Sequence, residues 1–221
     1  VRKDHRKRQL AVLVDEDNYS RKYTDGDGKK QSCLEYAIHH KILMRTGNTK
    51  TQEHRPTYKG CRVSGNLKNY NYFVEWCRCQ KGFNTEGWVL DKDILSGKDK
   101  IYSEDTCVFI PMCVNSFLTF SKRTNSTSVY AGVSWQKSYT KSGGKYIVSC
   151  AQLDGKNKTL GRTTCPKEGY KLYRKEKVRL ARVLAQRYCG IVDDRVYEYL
   201  NNFEKHIDDL AIKDQNYKGE V

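Results

Sequence analysis

The chain has 221 residues, 41 Lys+Arg against 26 Asp+Glu, a formal charge of +15 and 38% hydrophobic residues. That length allows one or two domains with real cores, and the composition is not that of a disordered chain. No run approaches the ~18 apolar residues of a membrane span, and no apolar segment near the N-terminus reads as a secretory signal.

The charge is unevenly placed. Residues 1–120 hold 21 basic and 15 acidic side chains, residues 121–190 hold 16 and 3, and residues 191–221 hold 4 and 8. The net +13 of the middle segment is the footprint of a polyanion binder. Nine cysteines, an odd count without a secretory signal, point to reduced thiols. The pair Cys77 and Cys79 could hold a structural zinc with Cys61 or Cys33, or the thiols could simply be buried.

In chain order, residues 1–8 (VRKDHRKR) form a basic arm, and residues 9–14 (QLAVLV) predict a short strand. Residues 15–30 are polar and turn-rich; their DGDG lacks the glutamate that closes a calcium loop. Residues 32–46 place Cys33, Leu34, Ala37, Ile38, Ile42 and Leu43 at helical spacing, with Ser32 and Glu35 as a capping box. His39 and His40 are adjacent there and must face different ways, one to the core edge and one to solvent. Residues 70–80 predict another helix.

Residues 87–95 predict a strand with acidic residues at its end, 96–100 a turn, 107–110 a second strand and 111–120 a short helix with Pro111 in its first turn. That order is a ββα unit. Residues 121–128 are polar and aperiodic, a linker. Strands follow at 129–136, 145–153 and 156–162, with turns at Ser142-Gly143-Gly144 and Asp154-Gly155. A long helix runs over 166–188 from Pro166. Tyr170, Tyr173, Leu180, Ala181, Leu184 and Tyr188 share one of its faces, and Lys171, Arg174, Lys175, Arg179 and Arg182 lie on others. Residues 193–210 predict a last, acidic helix.

The run from Leu90 through Asp91, Lys92, Asp93, Ile94 and Leu95, then Gly97 to Cys107, Phe109-Ile110-Pro111 and Val114-Asn115, resembles bacteriophage HNH-type endonucleases. Arg55 to Cys61 and Glu86-Gly87-Trp88 look like the same group. Gly132 to Trp135, Lys145-Tyr146, Asp154-Gly155-Lys156 and Leu160-Gly161 resemble the Apetala-type DNA-binding domain, which accompanies HNH nucleases in homing-type enzymes. The implied fold is α+β: a ββα-metal nuclease module, then a three-stranded antiparallel sheet packed on one long helix. The implied domains are an arm, strand and loop at 1–31, the nuclease module at 32–120, the linker at 121–128, the DNA-binding domain at 129–190 and an acidic helix and tail at 191–221.

The resemblance implies an endodeoxyribonuclease that hydrolyses phosphodiester bonds in double-stranded DNA, with no membrane partner, in the cytoplasm of an infected bacterial host. One divalent metal, Mg²⁺ or Mn²⁺, would serve each site. A single site cuts one strand, so double-strand cleavage needs a homodimer or two successive nicks. By position, Asp91 matches the aspartate before the usual histidine base, Lys92 the base itself, Thr106 the loop-orienting asparagine and Asn115 the final metal ligand. Asp93 is a second carboxylate, which makes Asp91, Asp93 and Asn115 the implied ligand set.

Lysine at 92 departs from the family pattern, which places there an imidazole whose ordinary pKa suits a base near neutrality. Phosphate binding or charge stabilisation is then its expected role. The alternative is a non-catalytic DNA-binding protein that keeps a degenerate HNH fold, and charge alone would also suit an RNA binder. In the second domain Ser134, Gln136, Lys145, Ser149, Asn157 and Thr159 are expected on the base-reading face of the sheet. Lys137, Lys141, Lys158 and Arg162 are expected on phosphates. Trp135 suits either DNA contact or edge packing.

Overall fold

A computed structural model describes residues 8–97, 99–119, 130–137 and 144–208. The chain divides into two units, Val1–Pro111 and Met112–Val221, with helices and strands in both.

The first unit begins with two hairpins, β1 (Leu13–Asp15) with β2 (Asn18–Tyr19) and β3 (Lys22–Thr24) with β4 (Lys30–Ser32). Between β3 and β4, Asp25 Oδ1 accepts the amides of Asp27 at 3.1 Å and Lys29 at 2.9 Å, so this carboxylate closes its own turn. α1 (Leu34–Gly47) follows without the expected capping box. Ser32 is held in β4 opposite Lys22, Cys33 takes the N-cap position, and the Leu34 amide donates to the Gln9 carbonyl at 3.0 Å. Glu35 turns fully inward instead. It accepts from the Ala11 amide at 2.9 Å and from Arg78 at 3.0 Å. His39 is buried, its Nε2 3.0 Å from the Leu67 carbonyl, while His40 is exposed, as their adjacency requires.

α2 (Thr49–His54), β5 (Arg62–Val63) and α3 (Gly65–Lys68) lead to α4 (Tyr70–Cys79). Asn69 caps α4 by accepting the amides of Asn71 at 2.9 Å and Tyr72 at 3.1 Å. Tyr70, Phe73, Val74 and Cys77 are its buried stripe, at the i, i+3, i+4, i+7 spacing of one helical face. α4 packs on α1 around a core that includes Ile42, Leu67, Phe73, Cys77, Cys107 and Phe109.

β6 (Trp88–Asp91), a short α5 (Asp93–Ser96), β7 (Ile101–Tyr102) and β8 (Val108–Pro111) complete the unit. β6 and β8 pair antiparallel, with Trp88 opposite Pro111 and Asp91 opposite Val108, while β5 and β7 pair parallel. Pro111 therefore ends a strand rather than opening a helix, a place where its missing N–H is tolerated. Gly82, at φ +82°, precedes β6; a Cβ there would come within 2.1 Å of the Trp88 ring.

The second unit contains α6 (Met112–Leu118), β9 (Val133–Gln136), β10 (Lys145–Ala151), β11 (Asn157–Thr163), α7 (Pro166–Arg187) and α8 (Asp194–Asn201), then helical residues 203–208. The three strands form one antiparallel sheet with β10 in the middle. Gly155, at φ +81°, makes the expected turn between β10 and β11. α7 lies against one sheet face so closely that a Cβ on Gly169 would meet Val148 at 3.0 Å and Thr163 at 3.2 Å. Val196, Leu200, Phe203 and Ile207 are fully buried, and α8 packs on α7.

The Phe117 ring of α6 lies 5.2 Å from that of Phe203, so the helix expected to close the nuclease module belongs to the core of the second unit. α7 buries Tyr173, Leu180, Ala181 and Leu184 as expected, with Tyr170 and Tyr188 half-buried. Lys177 falls in the same stripe. It is 6% exposed, donates to the Phe117 carbonyl, and stands 3.7 Å from the Phe117 ring centroid. Residues 1–7 of the basic arm, the linker at 121–128, the turn residues Ser142 and Gly143, Lys141 and the tail after 208 lie outside the described residues. Among the described residues no helix is long and apolar enough to cross a membrane.

Candidate functional site

β6 delivers three polar residues to one strand end in the first unit. Asp91, the last residue of β6, turns its Oδ1 onto the Ile94 amide at 2.9 Å and so anchors the short α5. Burial, then the charge of Asp93, push this carboxyl up to about 6. Lys92 is only 5% exposed. Its ammonium donates to Asp93, whose side chain is 76% exposed, and stands 5.4 Å from the centroid of the Tyr102 ring. An exposed carboxylate, a buried ammonium and a carboxyl with a raised pKa therefore lie within three residues.

Thr106 acts on the loop before β8. Its hydroxyl donates to the Ile101 carbonyl at 2.7 Å and accepts the Ser103 amide at 3.0 Å, fixing the 103–106 turn. Asn115 sits half-buried on α6, in the second unit. The structure thus gathers Asp91, Lys92 and Asp93 on one strand end and gives Thr106 a local bracing part.

Hard oxygen donors suit Mg²⁺ or Mn²⁺, and Mg²⁺ commonly takes one or two carboxylates with the remaining positions left to water and phosphate. Asp91 and Asp93 supply two carboxylates of that kind, each with one oxygen already engaged, by the Ile94 amide and by Lys92. Cys77 and Cys79 take different environments: Cys77 is buried in the apolar core, where burial holds its thiol well above the ordinary range, while Cys79 is exposed. Among the described residues no three His, Cys, Asp or Glu side chains gather into a ligand set.

The second unit offers a sheet face. Side chains alternate along each strand, and α7 contacts Val133, Val148 and Thr163, which fixes the covered side. Register then puts Ser134, Ile147 and Arg162 in one row on the uncovered side, with Gln136 beside Lys145, Ser149 beside Thr159, and Ala151 beside Asn157. The expected reading residues Ser134, Gln136, Lys145, Ser149, Asn157 and Thr159 all share this face. The pairing shifts between Val148 and Ser149, which lets Thr159 and Arg162 share a face although they are three residues apart.

Trp135 and one expected phosphate contact, Lys158, lie on the other side. Trp135 pairs with Tyr146 on the helix side, ring centroids 4.9 Å apart. Lys158 also points to that side, 3.9 Å from Glu176 of α7, because it alternates with outward Asn157 and Thr159. Lys137 follows β9 and is exposed. Several cations of α7 are matched by acids: Arg174 with Glu204 at 3.0 Å and Asp208 at 3.3 Å, Arg179 with Glu176 at 2.8 Å, and Arg182 with Glu204 at 3.7 Å.

Sequence reasoning gave no part to Arg45, Tyr58 and Tyr102, which form a chain of contacts leading from Lys92: Lys92 stands over the Tyr102 ring, Arg45 bonds the Tyr102 hydroxyl, and Tyr58 lies against Arg45. They lie 34 to 48 residues upstream or ten downstream, and no spacing signal joins them. Comparison of the chain with protein-family models, with curated proteins and with solved structures finds no significant match.

Proposed function

We propose that the chain is a metal-dependent DNA endonuclease whose second unit holds duplex DNA on the uncovered face of its sheet. The observation that carries the nuclease part is the β6–β8 hairpin with Asp91 and Asp93 at its carboxylate end, followed immediately in sequence by the helix at Met112. Asp91 and Asp93 would hold the cation, which when bound neutralises phosphate charge and acidifies a water. Lys92, buried and bonded to Asp93, fixes the direction of that carboxylate and brings a positive charge to the phosphate.

Supercoiled plasmid incubated with the protein and Mg²⁺ or Mn²⁺, against EDTA, tests this reading. Metal-dependent nicking is expected, falling at least ~10-fold in Asp93→Asn and in Asp91→Asn. Absence of nicking with either metal sinks the nuclease reading. A second reading, a DNA-binding protein without catalysis, draws on the local use of the same groups: Asp91 caps α5 and Lys92 already satisfies Asp93. Unchanged duplex binding without any cleavage would favour it.

The sheet makes a separate prediction. Lys145→Ala and Arg162→Ala should each weaken duplex binding and lower the slope of log K against log[KCl] by about 0.9, the loss of one phosphate contact. Lys158→Ala, on the helix side, should change the slope less. Fluorescence anisotropy across a KCl series reads both, and equal effects of the three substitutions would rule out this face.

A further inference from the structure

Arg45 belongs to none of the motifs. It projects from α1 so that Nη1 donates to the Tyr102 hydroxyl at 3.2 Å and Cζ stands 4.8 Å from the Tyr58 ring centroid. Arg45 makes no ion pair among the described residues; Asp93 acts on it only through charge. A guanidinium carries five N–H donors in a rigid fork, and the hydrogen bond to Tyr102 uses one of them. The group is half-buried and held by two tyrosines, so little further ordering is needed for it to take a ligand.

Tyr102 connects this arginine to the strand end. It is 2% exposed, and its oxygen accepts from Arg45 while Lys92 stands over its ring. Burial keeps the phenol protonated, so its O–H remains a donor. Two cations thus lie about Tyr102, and the exposed Asp93 carboxylate bonds one of them, Lys92, and acts on the other through charge. A cation bound at Asp91 and Asp93 would use that carboxylate, leaving Arg45 and Lys92 with an unanswered positive charge. An oxyanion with two adjacent oxygens matches a guanidinium fork better than it matches an ammonium.

We propose that Arg45, oriented by its hydrogen bond to the buried Tyr102 hydroxyl, binds a backbone phosphodiester of nucleic acid beside the Asp91–Asp93 strand end. This takes its substrate from the nuclease reading above, yet its test does not depend on cleavage. The full chain labelled with ¹⁵N-arginine shows the Arg45 Nε–Hε signal, assigned by its loss in Arg45→Lys. A 12-bp duplex is added in several-fold excess in EDTA, and inorganic phosphate is added in a parallel titration.

The signal should shift with duplex and respond to inorganic phosphate only at roughly 100-fold higher concentration, as one isolated anion lacks the neighbouring contacts of a strand. Nicking by Arg45→Lys should fall about 10-fold with its melting temperature unchanged, because the charge stays and the fork is lost. Tyr102→Phe should lose about 3-fold. A still Arg45 signal at excess duplex overturns the proposal, as does wild-type nicking by Arg45→Lys. Equal affinity for duplex and inorganic phosphate would reassign the site to a small anion and also overturn it. If the wild-type protein does not nick but the signal shifts, the nuclease reading falls and the phosphate site stands. Nicking with a still signal keeps the nuclease and removes the phosphate site.

Discussion

Replacing Glu35 by Ala should destabilise the first unit by roughly 3 kcal/mol, read as a lower urea midpoint with an unchanged m-value. Glu35 is fully buried, and its two oxygens serve different partners: Oε2 takes the Ala11 amide, and Oε1 takes Nη2 and Nε of Arg78 at 3.0 and 3.3 Å. Arg78 in turn donates to the Ala11 carbonyl and lies 4.9 Å from the Tyr19 ring centroid. Removing the carboxylate leaves a buried amide and a partly buried guanidinium without their acceptor. Arg78 retains 35% side-chain exposure, so water recovers part of its loss and holds the expected cost to the low end for a broken buried pair.

Glu35→Gln, which keeps acceptor capacity and removes charge, should cost about half as much. Protease cutting near Ala11 should rise in Glu35→Ala, since this carboxylate ties the 9–19 segment to α1. A variant that melts like the wild type would show that Glu35 does not anchor this segment.

Lys177→Met should instead stabilise the second unit, by about 2 kcal/mol at pH 7. Burial lowers the Lys177 ammonium from 10.5 to about 8. That difference corresponds to roughly 3 kcal/mol against the charged form, of which the lost hydrogen bond to Phe117 returns about 1. The pH dependence follows from the direction of the shift. Below pH 8 the lysine is charged in both states and the folded protein bears the burial cost. Between about 8 and 10.5 the folded state has released its proton while the unfolded chain keeps it, so wild-type stability rises with pH. Above that window both states are neutral and the gain is complete. Urea unfolding of both proteins from pH 7 to 10 should show their difference shrinking. A constant difference, or a variant less stable at pH 7, would remove burial as the controlling effect.

Much of the fold was legible where the signal is local. Tyr70, Phe73, Val74 and Cys77 announce α4 by spacing, Pro166 and the Tyr173–Leu184 stripe announce α7, and Asp154-Gly155 announces its hairpin. The outward set of the sheet was carried over from the resemblance, and the alternation of side chains along the strands places those residues on one face. Ser32 misled because, as part of β4, it pairs with Lys22 of β3, ten residues back, and a cap motif cannot register that competition. Lys177 was invisible for a different reason: its residue type argues for solvent, and only its place in the apolar stripe argues for burial. The two-residue β5–β7 pairing, Arg62 opposite Ile101, is too short to leave a pattern. The strand-end residues Asp91, Lys92 and Asp93 could be named from sequence, but not the tyrosines and arginine that tertiary contacts bring to them.

The acids facing α7 act as tethered counterions. Arg174 and Arg182 share Glu204, and the exposed ends of these pairs make each worth less than about 1 kcal/mol. A phosphate approaching that side exchanges one anion for another already attached to the protein. Such an exchange gives up an ion pair inside the protein, which offsets part of what the phosphate contact gains. The formal +15 therefore overstates the charge that the chain offers to a polyanion, and the cations most open to one are those, such as Arg162, that are exposed and pair with no carboxylate among the described residues.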